Sequence, residues 1–439
     1  MAQGRRSRWR GRCPRVAHPV AAFAAAAGLA VLATFAAPGA APAATPGATP
    51  GATPVRDDPA AGGDDLVLGM STALSGPAAD LGNRMLAGVQ AALAEVERGG
   101  GIHGRKLRLI ALDDGYEPDV AGPNVRRLIE QEHVLAIVGN VGTPTAVATL
   151  PIAVASGTPF YGAFTGAGLL RKEPPDPCVV NYRASYAEET TAMVDALVAQ
   201  AGLAPEEVAF FTQRDAYGDA GFDGGTAALR RHGLADASKV LHARYERNTV
   251  AVERALADVL LAQPPPRAII MVGAYRPCAA FVKLARENGV DALFLSVSFV
   301  GSMSLLRELG DRGDGVVITQ VVPHFDADLP IVKEYRAAIA ALDAESRPDF
   351  ISLEGYVATR LLCRGLATLE ARPDRASVIQ ALEGLGTFDL GLGVPLELSP
   401  TRHQACRQVW PTVIRGGRIV PFEWSELAAR RKAASGGPR

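Results

Sequence analysis

Leu66-Val-Leu-Gly-Met-Ser-Thr72, with the helical pattern over 78–97 that follows it, decides the fold of this 439-residue chain. The run is apolar without alternation, as in a strand covered on both faces. Gly99-Gly-Gly-Ile-His-Gly104 ends the helix as a C-cap and turn, and 107–112 reads as the next strand. A helix over 119–131, a strand over 134–139 and a helix over 143–155 continue the rhythm. Such alternation implies a parallel sheet with helices on both faces.

After 179–182 the rhythm restarts, with strands at 208–212, 240–245, 268–272, 293–296 and 315–320. Helices at 188–201, 219–232, 250–261 and 278–288 alternate with them, and helices at 331–344, 353–369 and 375–385 follow. The stretch 410–420 reads as a hairpin around Arg415-Gly-Gly-Arg418. Two successive α/β units imply two Rossmann-like lobes with a ligand crevice at the carboxyl ends of their strands.

Upstream, the first fifteen residues carry six Arg and no acid. An Ala-rich apolar run at 20–37 and small residues at 38–44 follow, with an A-x-A-like site ending at Ala43. These are the three parts of a secretory signal, so 1–44 is expected to be cleaved and the protein to be periplasmic or secreted. The competing reading is a membrane anchor, but the run is only weakly apolar and barely long enough. Arg5-Arg6 lacks the hydrophobic pattern of twin-arginine export. Cys13 lies inside the basic segment, so there is no lipobox. The repeat Thr45-Pro-Gly-Ala-Thr-Pro-Gly-Ala-Thr-Pro54 makes 45–64 a disordered tether, and 425–439 a flexible tail is expected. Cys178, Cys278, Cys363 and Cys406 would remain, with three possible pairings and one or no disulfide expected.

The net charge of −1 excludes the basic face that nucleic acid requires. Catalytic patterns fail too. The glycines at 99–104 lack a Gly-Lys-Ser/Thr ending, no G-x-G-x-x-G opens a helix, and neither G-x-S-x-G nor H-E-x-x-H occurs. The histidines are scattered; His103, His232 and His403 read as solvated or capping side chains. Asp113 and Asp114 would point to opposite faces of a strand and make a poor metal cage. No enzyme activity, cofactor or metal is expected.

What remains is Gly139-Asn-Val-Gly-Thr-Pro-Thr145, joining a strand to a helix, with Thr143 as N-cap and Pro144 at the first helical position. The exposed amides and positive dipole end suit a carboxylate. Loops of similar character follow other strands: Ser71–Pro77, Tyr161-Gly-Ala-Phe-Thr165, Gln213–Gly218 and Gly273–Pro277. Phe164, Tyr217, Tyr275 and Phe299 are expected at the crevice mouth.

Ser75-Gly-Pro77, Asp113-Asp114, Gly139-Asn140, Asp215-Ala-Tyr-Gly218, Gly273-Ala-Tyr-Arg-Pro277 and Ser352-Leu-Glu-Gly-Tyr356 occur in order. This ordered set resembles the type I periplasmic binding proteins, in particular the leucine/isoleucine/valine-binding and amide-receptor branch of ABC importers, from about Leu66 to Phe422. The resemblance implies two lobes, 65–183 with 321–386 and 184–320 with 387–424, joined by a hinge of three crossovers. A small-molecule ligand would close the clamp, which would dock as a monomer on a permease served by an ATPase, touching the membrane only through it. The same clamp could instead serve a sensing receptor. By the resemblance, Thr143 is the hydroxyl that holds a ligand carboxylate, Thr165 the second hydroxyl anchor, which meets the ammonium group, and Tyr275 a second-lobe aromatic. Asn140, Val141, Gly142, Ala163, Phe164, Tyr217 and Phe299 complete the implied ligand set. Leu81 replaces an aromatic, and Gly115 and Gly142 stand where the leucine-binding branch has a disulfide. The acid that balances a ligand ammonium falls at Ser298, unless the loops run differently and Glu287 or Glu308 substitutes. An apolar or aromatic carboxylate, an amide or another neutral solute is therefore implied over a plain amino acid.

Overall fold

A computed structural model describes residues 65–429 apart from 344 and 371. The expected signal (1–44), the whole tether (45–64) and the last ten residues of the tail (430–439) lie outside the described residues. In the first half, β1 (Leu66–Thr72), α1 (Ala79–Arg98), β2 (Leu107–Asp113), α2 (Pro118–Glu130), β3 (Ala136–Val138), α3 (Thr143–Ala155), β4 (Phe160–Tyr161) and β5 (Val179–Val180) follow one another. The strands form a five-stranded sheet in the order β2-β1-β3-β4-β5, parallel throughout. The two-residue β4 was not evident as a strand, because Gly162 ends it before any periodicity develops.

The second unit runs α4 (Tyr186–Ala199), β6 (Val208–Gln213), α5 (Ala216–Arg231), β7 (His242–Tyr245), α6 (Glu253–Leu261), β8 (Ala268–Val272), α7 (Tyr275–Glu287), β9 (Leu293–Ser296), α8 (Ser302–Leu309) and β10 (Val317–Gln320). Then α9 (Pro330–Leu342), α10 (Phe350–Leu366) and α11 (Arg375–Glu383) return to the first sheet, where α9 and α10 pack on α1. A short hairpin of β11 (Gly386–Phe388) and β12 (Leu396–Leu398) stays beside α10, with Arg364 donating to the Asp389 carbonyl at 2.7 Å. Finally β13 (Trp410–Arg415) and β14 (Arg418–Pro421) join the second sheet as the expected hairpin, pairing Arg415 with Arg418. That sheet has seven strands in the order β14-β13-β10-β9-β8-β6-β7, parallel except for β13 and β14.

The chain thus passes between the sheets three times. Two of the crossing segments lie side by side: Ala405 N donates to Asn181 O and Cys406 N to Tyr182 O, at 2.9 and 2.8 Å. The Tyr182 hydroxyl reaches the third crossing by donating to Val321 O at 3.2 Å. His403 is a correction to the sequence reading. It is buried in this bundle, with Nδ1 at 2.8 Å from Val179 O and Nε2 at 2.9 Å from Glu383. Cys178, Cys278, Cys363 and Cys406 are free buried thiols. Among the described residues no helix is long and apolar enough to cross a membrane.

Candidate functional site

The loops after the strands of both sheets meet in a shut seam. From the first lobe, Gly142 caps α3 and Thr143 is its first residue, so the N-cap is one residue earlier than expected. The reason is the backbone: Gly142 has φ of 103°, a conformation an L-side chain rarely adopts. A Cβ on Gly142 would also lie 2.1 Å from the Tyr116 ring. Freed from capping, the buried Thr143 hydroxyl meets that of Thr165 at 2.6 Å. Val141 bridges Phe164 in backbone pairing, which brings the two loops together.

Phe164 stacks on Phe299 of the second lobe, with ring centroids 4.9 Å apart. Tyr217 lies 4.7 Å from Phe299 and 5.1 Å from Tyr186, and Tyr116 is 6.1 Å from Phe299. All five rings are buried, so Phe164, Tyr217 and Phe299 form the floor of the seam, not its mouth. Tyr217 moves inward because Asp215 accepts from Tyr217 N at 3.0 Å and caps α5, turning the expected loop into a first helical turn. Burial holds the phenols of Tyr116 and Tyr217 well above their ordinary pKa, so both stay protonated. Tyr116 has φ of 66°, strain that its packing against Gly142 and Phe299 holds in place.

Tyr275 begins α7 at the rim of the seam, where its hydroxyl donates across the lobes to Pro77 O at 2.8 Å. Leu81 is buried beside Gly301, whose φ is 79° and where a Cβ would lie 2.7 Å from the leucine Cδ2. Two of the expected residues serve the scaffold. The side chain of Asn140 accepts from Ser71 N at 3.1 Å, although its Nδ2 has no partner. Ala163 belongs to the first-lobe core with Ile137 and Leu150. Asp113 and Asp114 diverge as expected. Asp113 accepts from Leu74 N, Ser75 N and Gly115 N, while Asp114 accepts from Ser71 Oγ and Tyr116 N. Burial pushes the Asp114 carboxyl up to about 6.

The centre of the seam holds charges that the sequence reading missed. Arg183, on the first crossing, is fully buried and pairs with Glu189 of α4 at 2.9 Å and Glu354 of α10 at 3.5 Å. Its guanidinium lies over the Phe164 and Tyr186 rings, 5.2 and 5.6 Å from their centroids, and donates to Ser298 Oγ. Ser298 N and Oγ both donate to Glu189, at 2.7 and 3.0 Å. Desolvation would lower the Arg183 pKa, but Glu354 and Glu189 outweigh it and raise it. Burial pushes Glu354 up to about 7, against the pull of Arg183. Arg171 donates to the carbonyls of Thr165, Ala167 and Arg183, fastening the Thr165 loop to the crossing.

At the open edge, Glu117 of the first lobe accepts from Arg247 at 2.7 Å and from Asn248 at 2.7 Å. Asp80 accepts from Arg307 at 3.0 Å and from Ser304. Two α/β lobes, three crossings and loops converging on a closable seam are the architecture of a solute clamp. Residues 65–418 match the family described as periplasmic binding protein. The chain belongs to that family.

Its relatives narrow the branch. The periplasmic binding protein is 54% identical, with a TM-score of 0.81, to the structure of a possible leucine/isoleucine/valine-binding protein from Rhodopirellula baltica, over 82% of this chain and 97% of that one. A substrate-binding periplasmic protein from Ralstonia solanacearum is 28% identical with a TM-score of 0.75, over 82% of this chain and 100% of that one. Leu/Ile/Val-binding protein homolog 7 of Brucella abortus is 25% identical, over 78% of this chain and 87% of its own length. The charges in the clamp left a sequence signal. Glu189 falls on the buried face of α4 with Tyr186, Met193 and Leu197, while its neighbour Glu188 forms the capping box with Ser185. A charge at helical spacing among apolar residues calls for a buried partner.

Proposed function

We propose that this protein is an extracytoplasmic, non-catalytic solute-binding protein that captures a small carboxylate, amino-acid-like or aromatic, between its lobes and delivers it to an ABC permease. One observation carries the reading: the Thr143 and Thr165 hydroxyls face each other at the N-terminal end of α3, inside a seam closed by rings from both lobes. Helix-end amides and hydroxyls are donors suited to a carboxylate. Relatives named for leucine, isoleucine and valine binding support a ligand of that size and anionic end. Opening about the three crossings would admit the solute, and closure would present one shape to a permease. In this reading the first lobe comprises 65–183 with 321–386, and the second 184–320 with 387–424. An exported monomer with a cleaved leader fits this role, and no cofactor is required.

The test is Thr143→Ala, measured by calorimetry with a panel of small carboxylates. Loss of one buried hydrogen bond to an anion should weaken binding about tenfold. Unchanged affinity for every carboxylate that binds would remove the cradle from the reading.

A further inference from the structure

We infer that the buried Arg183 is a specificity-determining group: it occupies the features of the cleft that could receive a cation, so the protein selects carboxylates lacking an ammonium group over α-amino acids. The inference rests on the carboxylate reading above and narrows its ligand class.

The argument is a count of acceptors. A carboxylate has room for about four hydrogen bonds. Glu189 is full. Its Oε1 accepts from Arg183 Nη2 at 2.9 Å and Ser298 Oγ at 3.0 Å, and its Oε2 from Ser298 N at 2.7 Å and Thr319 Oγ1 at 2.6 Å. Glu354, the second buried acid at the seam, is not full, but its Oε1 is paired to the same guanidinium at 3.5 Å, so a cation there would sit beside the Arg183 charge. The aromatic faces, which attract cations by their quadrupole, are also engaged, because Arg183 lies over both Phe164 and Tyr186. The Thr165 carbonyl is taken by Arg171, and the Gly273 carbonyl by Tyr217. Donors are in better supply. The Thr143–Thr165 pair keeps one hydroxyl proton beyond the bond between the two groups. The Tyr186 hydroxyl lies beside Thr165 but completes no hydrogen bond of normal geometry. A ligand carboxylate therefore finds donors, whereas a ligand ammonium would find hydroxyl oxygens but, in Glu189 and Glu354, only carboxylates already paired with the Arg183 charge. That arrangement is expensive, since a second cation desolvated beside Arg183 is repelled by it and gains no anion of its own.

Calorimetry on the mature protein with two matched pairs tests this: 4-methylpentanoate against L-leucine, and 3-phenylpropanoate against L-phenylalanine. Each pair differs by the ammonium group. The acid without it should bind at least about tenfold tighter in the pair that fits the cleft. Equal or reversed affinities overturn the inference and leave the solute-binding reading standing. Silence from all four removes the carboxylate reading and the inference with it. A second measurement uses Arg183→Met together with Glu354→Gln, which removes the guanidinium and its weaker partner and leaves Glu189 facing the seam. The affinity ratio should move toward the amino acid by about tenfold. A purely structural role for Arg183 would weaken both members of a pair equally and leave the ratio unchanged, which also overturns the inference.

Discussion

Gly142 and Tyr116 form one unit. The glycine takes a φ of 103° at the start of α3, and the ring of Tyr116 fills the space a Cβ would need. Gly142→Ala should therefore cost about 2–3 kcal/mol through backbone strain and displacement of the ring. A urea melt checks this, and an unchanged midpoint would mean that the ring yields freely. At this scale the sequence located the loops well but not the charges. Thr143, Phe164, Thr165, Tyr217, Ser298 and Phe299 do converge. Ser298 was read as the place where a negative charge had been lost, yet its amide and hydroxyl both hold Glu189. The acid comes from another element, which an argument by position along one loop could not find.

Among the elements, α10 is buried on nearly every face, and Glu354 sits in its second turn. Burial raises its carboxyl from 4.5 to about 7. A carboxyl raised in the folded state holds its proton there after the unfolded chain has released it. Its contribution to stability is then complete below about pH 4.5 and lost as pH rises through 7. At about 1.4 kcal/mol per pH decade the loss reaches about 3 kcal/mol. Glu354→Gln should flatten this part of the profile, so that the fall in melting temperature from pH 5 to pH 8 is smaller than in the parent. An identical fall in both proteins would show that Glu354 is ionised throughout. The elements themselves were largely legible, because long apolar strands and amphipathic helices carry their own periodicity. The two-residue β4, the three-residue β11 and β12, and the eight-residue α8 were not evident, since pieces this short exist through their neighbours.

For the molecule as a whole, closure depends on contacts at the edge of the seam as well as on the rings within it. Glu117 takes two second-lobe donors, Arg247 and Asn248. Glu117→Gln should shift the unliganded protein toward an open form and weaken apparent affinity for the best-bound carboxylate about two- to fivefold, the scale of partly exposed ion pairs. Calorimetry would read the affinity, and small-angle scattering a larger radius of gyration without ligand. No change in either would place control of closure in the aromatic floor alone. Raising salt should mimic the substitution, because such pairs are screened.

The sequence by itself determined the α/β alternation, the two lobes and the loops that meet between them, because these follow from hydrophobic period and turn chemistry read locally. It also named Thr143 and Thr165, whose hydroxyls the fold brings to 2.6 Å of each other. Only the tertiary structure decided the charge of the cleft. Arg183, Glu189, Ser298 and Glu354 are separated by up to 171 residues, and their pairing follows from three crossings that bring both lobes onto one buried point.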